Sequence, residues 1–374
     1  MGMSALDADS LFKGAFRGKT VFLTGHTGFV GSWMAIWLGA LGARVVGFSL
    51  EPPSDPSLFE KASLAGRVTH IHGDVRDLEF LKSAMAQSKP DSAFHLAAQS
   101  LVRPSYDDPV GTYGTNIMGT VHFLEAVRGC PSIKVCQVIT TDKCYENRET
   151  GQAYNEKDPL GGHDPYSSSK AGAEIVTAAY RRSFFQTDTS VATVRAGNII
   201  GGGDWANDRL VPDCIRTLQA GERIRLRNPD AVRPWQFILD PVAGYLHLAS
   251  MMMDDPATFC GPWNFGPMEP ENLTVGEVVD GVLRIWGCGS WERQDVENEV
   301  HEAKLLNLDI SKATRELGFR PVYGVQRSID ETVSWYKQVH GNSKIDVYSL
   351  CLDQIRQYVD DARLARAPWT GEVH

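Results

Sequence analysis

Short apolar runs rich in β-branched residues alternate with amphipathic stretches over the first two-thirds of the chain. The apolar runs predict strands over residues 19–24, 44–49, 68–71, 91–96, 133–140 and 191–195. The amphipathic stretches predict helices over residues 28–41, 77–87, 109–128 and 166–185. Strands that alternate with helices in this way are typical of a parallel, doubly wound α/β sheet with right-handed crossovers.

The pattern changes after about Gly197, where Gly, Pro and Trp become frequent. Helical periodicity returns over residues 274–286, 311–317 and 325–339, and again from Ile345, without strands between these segments. We expect a smaller C-terminal substrate-binding domain over the strand ends, where open α/β sheets bind ligands. The predicted division assigns residues 1–197, with about 235–258 returning, to the sheet domain. Residues 198–234 and 259–374 form the smaller domain.

A glycine-rich segment lies where the first strand turns into the first helix, and it reads Thr24-Gly25-His26-Thr27-Gly28-Phe29-Val30-Gly31. In a Rossmann-type fold such glycines make the tight turn, admit a pyrophosphate to the backbone amides and pack helix against strand. The helix N-terminus then stabilises the phosphate charge. We therefore predict a dinucleotide site that includes Gly25, Thr27, Gly28, Phe29, Val30 and Gly31.

The second strand ends in Ser49, at the position where NAD enzymes usually carry an acidic residue for the adenosine ribose. No basic residue follows closely enough to suggest a clamp for the 2′-phosphate of NADP. We expect NAD as the cofactor, bound less tightly than in relatives that have the acid. Asp74 and Val75, after the third strand, are expected to contact the adenine. The alternative for Asp74 is a helix N-cap.

Composition narrows the classes of function. The chain has 374 residues and a net charge of -9, which argues against a general nucleic-acid-binding protein. Its seven cysteines include no C-x-x-C pair and its histidines show no metal-ligand spacing, so we expect reduced thiols and no metal site. We find no signal-peptide pattern and no apolar stretch that could span a membrane. These features predict a cytoplasmic enzyme without a membrane or nucleic-acid partner.

Tyr166 and Lys170 lie four residues apart at the start of a predicted helix, and therefore on one helical face. Lys170 is expected to lower the pKa of Tyr166 by its charge and to bind a ribose hydroxyl. A tyrosinate is a suitable base for removing a proton from a sugar hydroxyl while hydride leaves the same carbon. The pair predicts oxidation of a sugar alcohol.

Several segments together resemble the extended short-chain dehydrogenase/reductases, and the resemblance covers nearly the whole chain. They are the glycine turn, the Tyr166/Lys170 pair, His95-Leu96-Ala97-Ala98-Gln99 and Asn116. The resemblance implies that Ala97, Ala98, Gln99 and Asn116 also belong to the NAD site. It further implies that Thr141, at the end of the fifth strand, completes a catalytic triad with Tyr166 and Lys170.

Asp142 and Lys143 follow that threonine and are similar to the Asp-Lys pair of CDP-glucose 4,6-dehydratases, whereas dTDP-glucose dehydratases carry Asp-Glu. The resemblance implies transient oxidation at C4, elimination of water across C5–C6 and return of hydride to C6. Asp142 is assigned as the acid of the elimination and Lys143 as its base. For these two residues the alternative is a surface ion pair at a strand end. For the activity the alternatives are a dehydratase of another nucleotide sugar, a 4-epimerase or a non-catalytic NAD-sensing regulator.

Segments around residues 195–205, 231–236 and 263–267 also resemble the CDP-glucose enzymes. By position, Asn198 and Arg233 are expected to bind the substrate diphosphate, and Arg209 does the same unless it is a solvated loop residue. Arg195 is expected to be structural, because its predicted strand is buried. The resemblance also implies a homodimer that pairs the helices at 109–128 and 166–185. Its product is expected to supply deoxysugars for surface polysaccharide of the O-antigen type.

Overall fold

A computed structural model describes residues 6–149, 151–185, 189–268, 273–294 and 306–371. Parts of the predicted substrate-binding domain, at residues 269–272, 295–305 and 372–374, lie outside the described residues. Within the described ranges, no helix is both long and apolar enough to cross a bilayer.

The strands, in chain order, are β1 (Thr20–Thr24), β2 (Arg44–Ser49), β3 (Thr69–His72), β4 (Ser92–His95), β5 (Val135–Ile139), β6 (Ser190–Arg195), β7 (Ile199–Ile200), β8 (Ile224–Leu226), β9 (Gln236–Phe237), β10 (Gly261–Asn264) and β11 (Trp291–Arg293). Among the described residues, seven of them form one parallel sheet in the order β10-β6-β5-β4-β1-β2-β3. The remaining four pair as β11-β8 and β7-β9.

The helices, in chain order, are α1 (Phe29–Ala40), α2 (Leu58–Lys61), α3 (Leu78–Ser88), α4 (Val102–Asp107), α5 (Pro109–Tyr113), α6 (Gly119–Arg128), α7 (Pro165–Phe184), α8 (Leu210–Gln219), α9 (Leu239–Asp254), α10 (Pro256–Phe259), α11 (Val275–Trp286), α12 (Ser311–Leu317), α13 (Val325–Gly341) and α14 (Val347–Leu364). A π-helical turn at Gly114–Met118 joins α5 to α6, and a 3-10 turn at Asp142–Cys144 follows β5.

The order in which strands are added to the sheet reverses between β1 and β4. The chain runs outward from β1 through β2 to β3, then crosses back to β4, which pairs with β1 on its other side. Such a crossover opens a crevice at the carboxyl ends of the two strands, where doubly wound sheets bind ligands. The glycine turn after β1, the loop after β4 and the 3-10 turn after β5 all start at this edge.

Both faces of the sheet are covered, which explains the apolar runs in the sequence. On β1, Val21 and Leu23 pack with Trp33 of α1, whereas Phe22 between them packs with Phe123 of α6. Side chains alternate across a strand, so a strand buried on both faces needs apolar residues at successive positions. The predicted doubly wound parallel sheet is confirmed.

Residues near the two ends of the described chain meet on the outer side of α1. The ring of Phe12 stacks on Trp369 with centroids 4.9 Å apart, and both rings contact Trp37 of α1. Tyr358 of α14 stacks on Trp369 at 6.0 Å and contacts Trp37 edge-on at 5.8 Å. We call Phe12, Trp37, Tyr358 and Trp369 the terminal aromatic cluster. It fastens α14 to the helix that follows the glycine turn.

Two sequence predictions differ from the structure. The helix predicted over 109–128 is interrupted at Gly114–Met118 by the π-helical turn, a change of register that a 3.6-residue period does not reveal. Strand β10 adds to the sheet beside β6, although residues 259–374 were assigned to the smaller domain. Gly261 and Pro262 are poor strand formers, and an edge position tolerates them. The division into two domains itself stays a prediction.

Candidate active site

The glycine turn joins β1 to α1 with backbones in close approach. Gly25 has a φ of +74°, in the left-handed region, and a Cβ there would lie 2.6 Å from the backbone nitrogen of Ala97. A Cβ on Gly31 would collide with the carbonyl oxygen of Gly25. Gly28 is the N-cap residue of α1 and lines a cleft with the first helical turn, whose amides have no partner within the helix. A pyrophosphate fits this position.

Side chains beside the glycine turn line the same cleft. Thr27, Phe29 and Val30 line the cleft, and so does Ser49 at the end of β2. Ser49 is buried and its hydroxyl lies 2.8 Å from that of Thr27. The position predicted for a ribose-binding acid therefore holds a neutral group inside the cleft.

Asp74 and Val75 line the next part of the cleft. The alternative that Asp74 caps the following helix is wrong, because the N-cap residue of α3 is Asp77, whose carboxylate accepts a backbone N–H. Asp74 instead pairs with Arg76, with Nη2 and Oδ2 2.6 Å apart. Hydrogen bonds from the Arg76 side chain hold the pKa of Asp74 below its usual range. Asp74 therefore stays ionised and can accept from an adenine amino group.

The residues predicted after β4 divide into two groups. Ala97 and Ala98 line the cleft, whereas Gln99 and Asn116 are not part of its lining among the described residues. The Asn116 side chain accepts from the backbone N–H of Gln99 at 2.9 Å and donates to Ser169 Oγ at 2.8 Å. Asn116 therefore ties the loop after β4 to α7, and it acts on the cleft through that loop.

Tyr166 and Thr141 lie together in the cleft. Burial raises the pKa of Tyr166 to about 12, while the Thr141 hydroxyl and the charge of Arg209 lower it. Lys170 donates from Nζ to the carbonyl oxygen of Ile139 at 3.2 Å, and burial lowers the pKa of Lys170 to about 8. Arg209 is the cation that lowers the pKa of Tyr166 here, and the effect of Lys170 on that pKa stays a prediction.

Asp142 is buried at the bottom of the cleft, with 4% of its surface exposed. Its Oδ1 accepts from the Thr141 hydroxyl at 2.9 Å, and its Oδ2 packs so closely on Gly197 that a Cβ there would collide. Burial raises the pKa of Asp142, although the charge of Lys143 opposes this. The alternative of a surface ion pair is wrong, because Asp142 is enclosed. A carboxyl group with a raised pKa suits a proton donor.

The predicted substrate-binding residues line the same cleft as Asp142. Arg233 donates from Nη1 to the carbonyl oxygen of Val232 at 3.1 Å, and its charge lowers the pKa of Asp142. Arg209 pairs with the buried Asp204 at 3.0 Å and its side chain is 33% exposed, so it is only partly solvated. Asn198 has a φ of +46°.

Arg195 is structural, as predicted. Its guanidinium pairs with the Glu174 carboxylate at 2.7 Å, and both side chains are 3% exposed. Arg195 also donates to the Tyr145 hydroxyl at 2.7 Å.

Other residues in the cleft were missed from the sequence. Arg103 of α4 and Arg227 after β8 face Asp208, with nitrogen–oxygen distances of 3.6 and 4.0 Å. Tyr245 of α9 reaches the cleft from below the sheet edge. None of these residues belongs to a motif, and packing between distant segments brings them together.

The cleft has a volume of about 1380 Å³ and runs from the glycine turn past Tyr166 to Arg233. Ligand pockets commonly measure roughly 300–1,000 Å³. The space therefore exceeds that of one drug-sized molecule and accommodates two ligands end to end. The closely packed glycines and the exposed amides of α1 fit the pyrophosphate of NAD, and Lys170 lies where a ribose would follow.

The sequence pattern of the family described as GDP-mannose 4,6 dehydratase matches residues 22–332. This chain belongs to that family. A CDP-glucose 4,6-dehydratase from Salmonella typhimurium is 46% identical over 331 residues, which cover 87% of this chain and 92% of the relative. A dTDP-glucose 4,6-dehydratase from Xanthomonas campestris is 27% identical and covers 85% of this chain and 93% of its own length. The family resemblance seen in the sequence is confirmed.

Solved structures share the fold of this dehydratase family. A dTDP-glucose 4,6-dehydratase from Streptomyces venezuelae, solved with NAD and TYD bound, aligns with a TM-score of 0.73 at 24% identity and covers 86% of this chain and 98% of its own. A UDP-glucose 4-epimerase from Stenotrophomonas maltophila, with NAD and formylated UDP-arabinopyranose, aligns with a TM-score of 0.74 at 21% identity. It also covers 86% of this chain, and 98% of its own. Dehydratases and epimerases thus share the fold, and the site has to distinguish them.

Proposed function

We propose that this chain is an NAD-dependent CDP-glucose 4,6-dehydratase that converts CDP-D-glucose to CDP-4-dehydro-6-deoxy-D-glucose and water. The observation that carries the proposal is the buried Asp142 beside Lys143, directly after Thr141 and in the same cleft as Tyr166. The 46% identity to a CDP-glucose 4,6-dehydratase supports the choice of nucleotide. Oxidation at C4 alone needs no such carboxyl group, whereas elimination of water does.

The cofactor site takes NAD along the glycine turn. The amides of the first turn of α1 bind the pyrophosphate, Asp74 and Val75 flank the adenine, and Ser49 accepts from the adenosine ribose. When bound, NAD would supply the hydride acceptor for oxidation at C4 and the hydride donor for reduction at C6. The loop containing Ala97 and Ala98 supports the ribose beyond the pyrophosphate, and Asn116 holds that loop in place.

Oxidation at C4 begins with the proton of the C4 hydroxyl. Tyr166 accepts this proton, with Thr141 holding the hydroxyl in position. The pKa of Tyr166, raised to about 12 by burial, needs cations nearby to fall toward neutrality. Arg209 already acts in that direction, and Lys170 adds its charge when a ribose hydroxyl draws it from the Ile139 carbonyl.

Elimination across C5–C6 then uses the two residues after Thr141. The C4 ketone acidifies the C5 proton, which Lys143 removes. The C5–H electrons form the C5=C6 bond while the C6–O bond breaks. Asp142 protonates the departing C6 oxygen, so water leaves, and Lys143 returns its proton to C5 when hydride adds at C6. Burial raises the pKa of Asp142, so its carboxyl group holds a proton at a higher pH than an exposed carboxyl group does.

The diphosphate of the substrate lies against the arginines at the far end of the cleft. Arg233 and Arg209 present guanidinium groups, which bind phosphate oxygens in a planar, two-point geometry. Asn198, which lines the same cleft, adds an amide donor. These charges let a chain with a net charge of -9 bind an anionic ligand.

We further propose that the chain forms a homodimer through α4–α7. Large apolar side chains on these helices and their connecting turn are exposed, namely Tyr106, Val110, Tyr113, Met118, Ile175 and Phe184. Exposed apolar side chains in this number suit an interaction site, which a second copy would cover around a two-fold axis. Sedimentation should give a dimer for the wild type and a monomer for Ile175→Lys.

We also propose that the enzyme works in the cytoplasm. All seven cysteines are free thiols, and four of them are fully enclosed at 0–1% exposure: Cys136, Cys144, Cys214 and Cys351. Unpaired thiols in this number suit a reducing compartment.

The decisive experiment uses CDP-glucose deuterated at C4. The dehydratase should deliver the label to C6 of its product, which mass spectrometry and NMR resolve. Asp142→Asn keeps the shape of the side chain but removes the proton donor, so it should oxidise C4 and form no dehydrated product. Deuterium that stays at C4 in the wild-type product would favour a 4-epimerase. Parallel assays with dTDP-glucose, UDP-glucose and GDP-mannose test the nucleotide, and faster turnover of any of these would reassign the substrate.

A further inference from the structure

The floor of the active-site cleft contains a buried hydroxyl group that lacks a partner. Tyr245 of α9 is completely enclosed and lines the cleft together with Thr141 and Asp142. Within the described part of the chain, its phenolic oxygen makes no hydrogen bond. A buried polar group without a partner destabilises the fold, so its presence calls for a functional explanation.

The rest of Tyr245 is held firmly. Its ring packs edge-on against Phe265 with centroids 5.5 Å apart. Its backbone carbonyl oxygen accepts from Nε2 of Gln137 at 2.9 Å. Gln137 belongs to β5, the strand that leads into Thr141 and Asp142. The hydroxyl of Tyr245 is therefore fixed relative to the catalytic turn, although nothing in the described residues bonds to it.

Asp142 lines the same cleft. Burial, and then the negative charge of Asp142, raise the pKa of the Tyr245 phenol. The phenol therefore keeps its proton. The titratable or charged groups that act on Asp142, or respond to it, come from several elements and are Lys143, Cys144, Tyr166, Arg233 and Tyr245. Of these, the Tyr245 hydroxyl is a neutral donor with no other partner among the described residues.

We propose that Tyr245 is a positioning residue for the general acid, an inference that rests on the proposed dehydratase activity. When Asp142 gives its proton to the departing C6 oxygen, a carboxylate is left in a buried site. The Tyr245 hydroxyl donates to this carboxylate, directly or through one enclosed water molecule. The donation makes Asp142 a stronger acid at the step that breaks the C6–O bond. Tyr245 keeps its own proton throughout.

A hydroxyl group suits this position in both states of the acid. It accepts from a protonated carboxyl group and donates to a carboxylate, whereas a phenyl ring does neither. The Thr141 hydroxyl already donates to Asp142 at 2.9 Å but is also needed by Tyr166. A second donor on the other side leaves Thr141 available for the substrate.

The test compares Tyr245→Phe with the wild type. Asp142 must be protonated to act, so turnover falls as pH rises through its pKa. Removing a donor to the carboxylate disfavours the charged form and raises that pKa. The basic limb of the kcat profile should therefore move up by about one pH unit, and kcat should fall about ten-fold with KM unchanged. The melting temperature should change little, because the ring and its packing against Phe265 are kept.

Tyr358→Phe is the matched control. Its hydroxyl donates to Asp240 at 2.7 Å in the core, away from the cleft. This variant should melt at a lower temperature, because a real hydrogen bond is lost, and should keep the wild-type pH profile.

A variant with 3,5-difluorotyrosine at position 245 tests the opposite direction. Fluorination makes the phenol a stronger donor, so the basic limb should move to lower pH. Profiles and kcat values that match the wild type in both variants at position 245 would overturn the proposal. A wild-type enzyme that forms no dehydrated product from CDP-glucose would instead overturn the proposed function.

Discussion

The hydroxyl groups of Thr27 and Ser49 lie 2.8 Å apart, and the Thr27 proton points to the carbonyl oxygen of Leu50 at 3.0 Å. Because a hydroxyl has one proton, Ser49 is the donor within this pair. Ser49 is then left with lone pairs for a ribose hydroxyl of NAD. It can accept a hydrogen bond as an acid would, but without the charge.

Replacing Ser49 by Asp should therefore tighten NAD. We expect a gain of about 1 kcal/mol, the scale of one net hydrogen bond, or about five-fold in Kd. Calorimetric titration of the purified protein measures it, with NADP as the control, since the new charge should repel a 2′-phosphate. Purification of the wild type with stoichiometric, non-exchanging NAD would contradict the interpretation that the native site is weak.

Tyr166→Phe should remove the base and keep the fold. The ring stays in its buried position, so melting temperature and NAD binding should match those of the wild type. Turnover should fall by about 10²–10⁴-fold, the usual effect of losing a general base. Tyr180→Phe, on the same helix, is the control. It loses a 2.8 Å hydrogen bond to Glu125 that lies outside the cleft, and its turnover should be normal. Near-normal turnover in Tyr166→Phe would remove this residue from the mechanism.

Arg233→Ala should weaken CDP-glucose and free CDP by similar amounts. The expected loss is about 1.5–3 kcal/mol, typical of a hydrogen bond to a charged group. Arg223→Ala is the control, because Arg223 pairs with Glu292 on the surface at 3.1 Å and is 61% exposed. Unchanged binding of both ligands to Arg233→Ala would show that the diphosphate lies elsewhere.

His247 should make the protein sensitive to acid. Burial lowers the pKa of His247 to about 4, although its hydrogen bond to the Leu317 carbonyl opposes this. Between about pH 6.5 and 4 the unfolded chain therefore binds a proton that the folded chain does not, so stability falls as pH falls. The contribution is about 3 kcal/mol over this window. Denaturant titrations at several pH values give the pH dependence of the free energy of unfolding. In His247→Gln this slope should be smaller by about one proton than in the wild type. Equal slopes in the two proteins would exclude His247 as the origin of the acid sensitivity.

Much of the sheet could be predicted because the apolar pattern that marks each strand lies within a short stretch of sequence. The boundaries predicted for β2 agree with the structure at both ends, since its residues after Arg44 are buried and mostly apolar. Helix α12 was likewise predicted at both ends, from residue 311 to residue 317. The glycine turn was recognisable because only glycine tolerates the φ of Gly25 together with the close approach of Ala97.

Helix α9 was missed for an equally physical reason. Thirteen of its sixteen residues are buried, so it lacks the polar face that produces a helical period. Tyr245 lies on this helix and was missed with it. Asp142 was found because it adjoins a recognisable motif, but its burial depends on Gly197, a contact between separate strand ends. Local pattern fixes which strands form, and long-range packing decides which side chains share the cleft.

The terminal aromatic cluster has a consequence for how the protein is made. Phe12 and Trp37 are synthesised long before Tyr358 and Trp369. Domains generally fold as they emerge, N-terminal parts first. During synthesis the outer side of α1 therefore stays open to water, or to a chaperone, until the closing residues arrive. The outer side of the helix that follows the glycine turn is therefore covered only after α14 and Trp369 have been made.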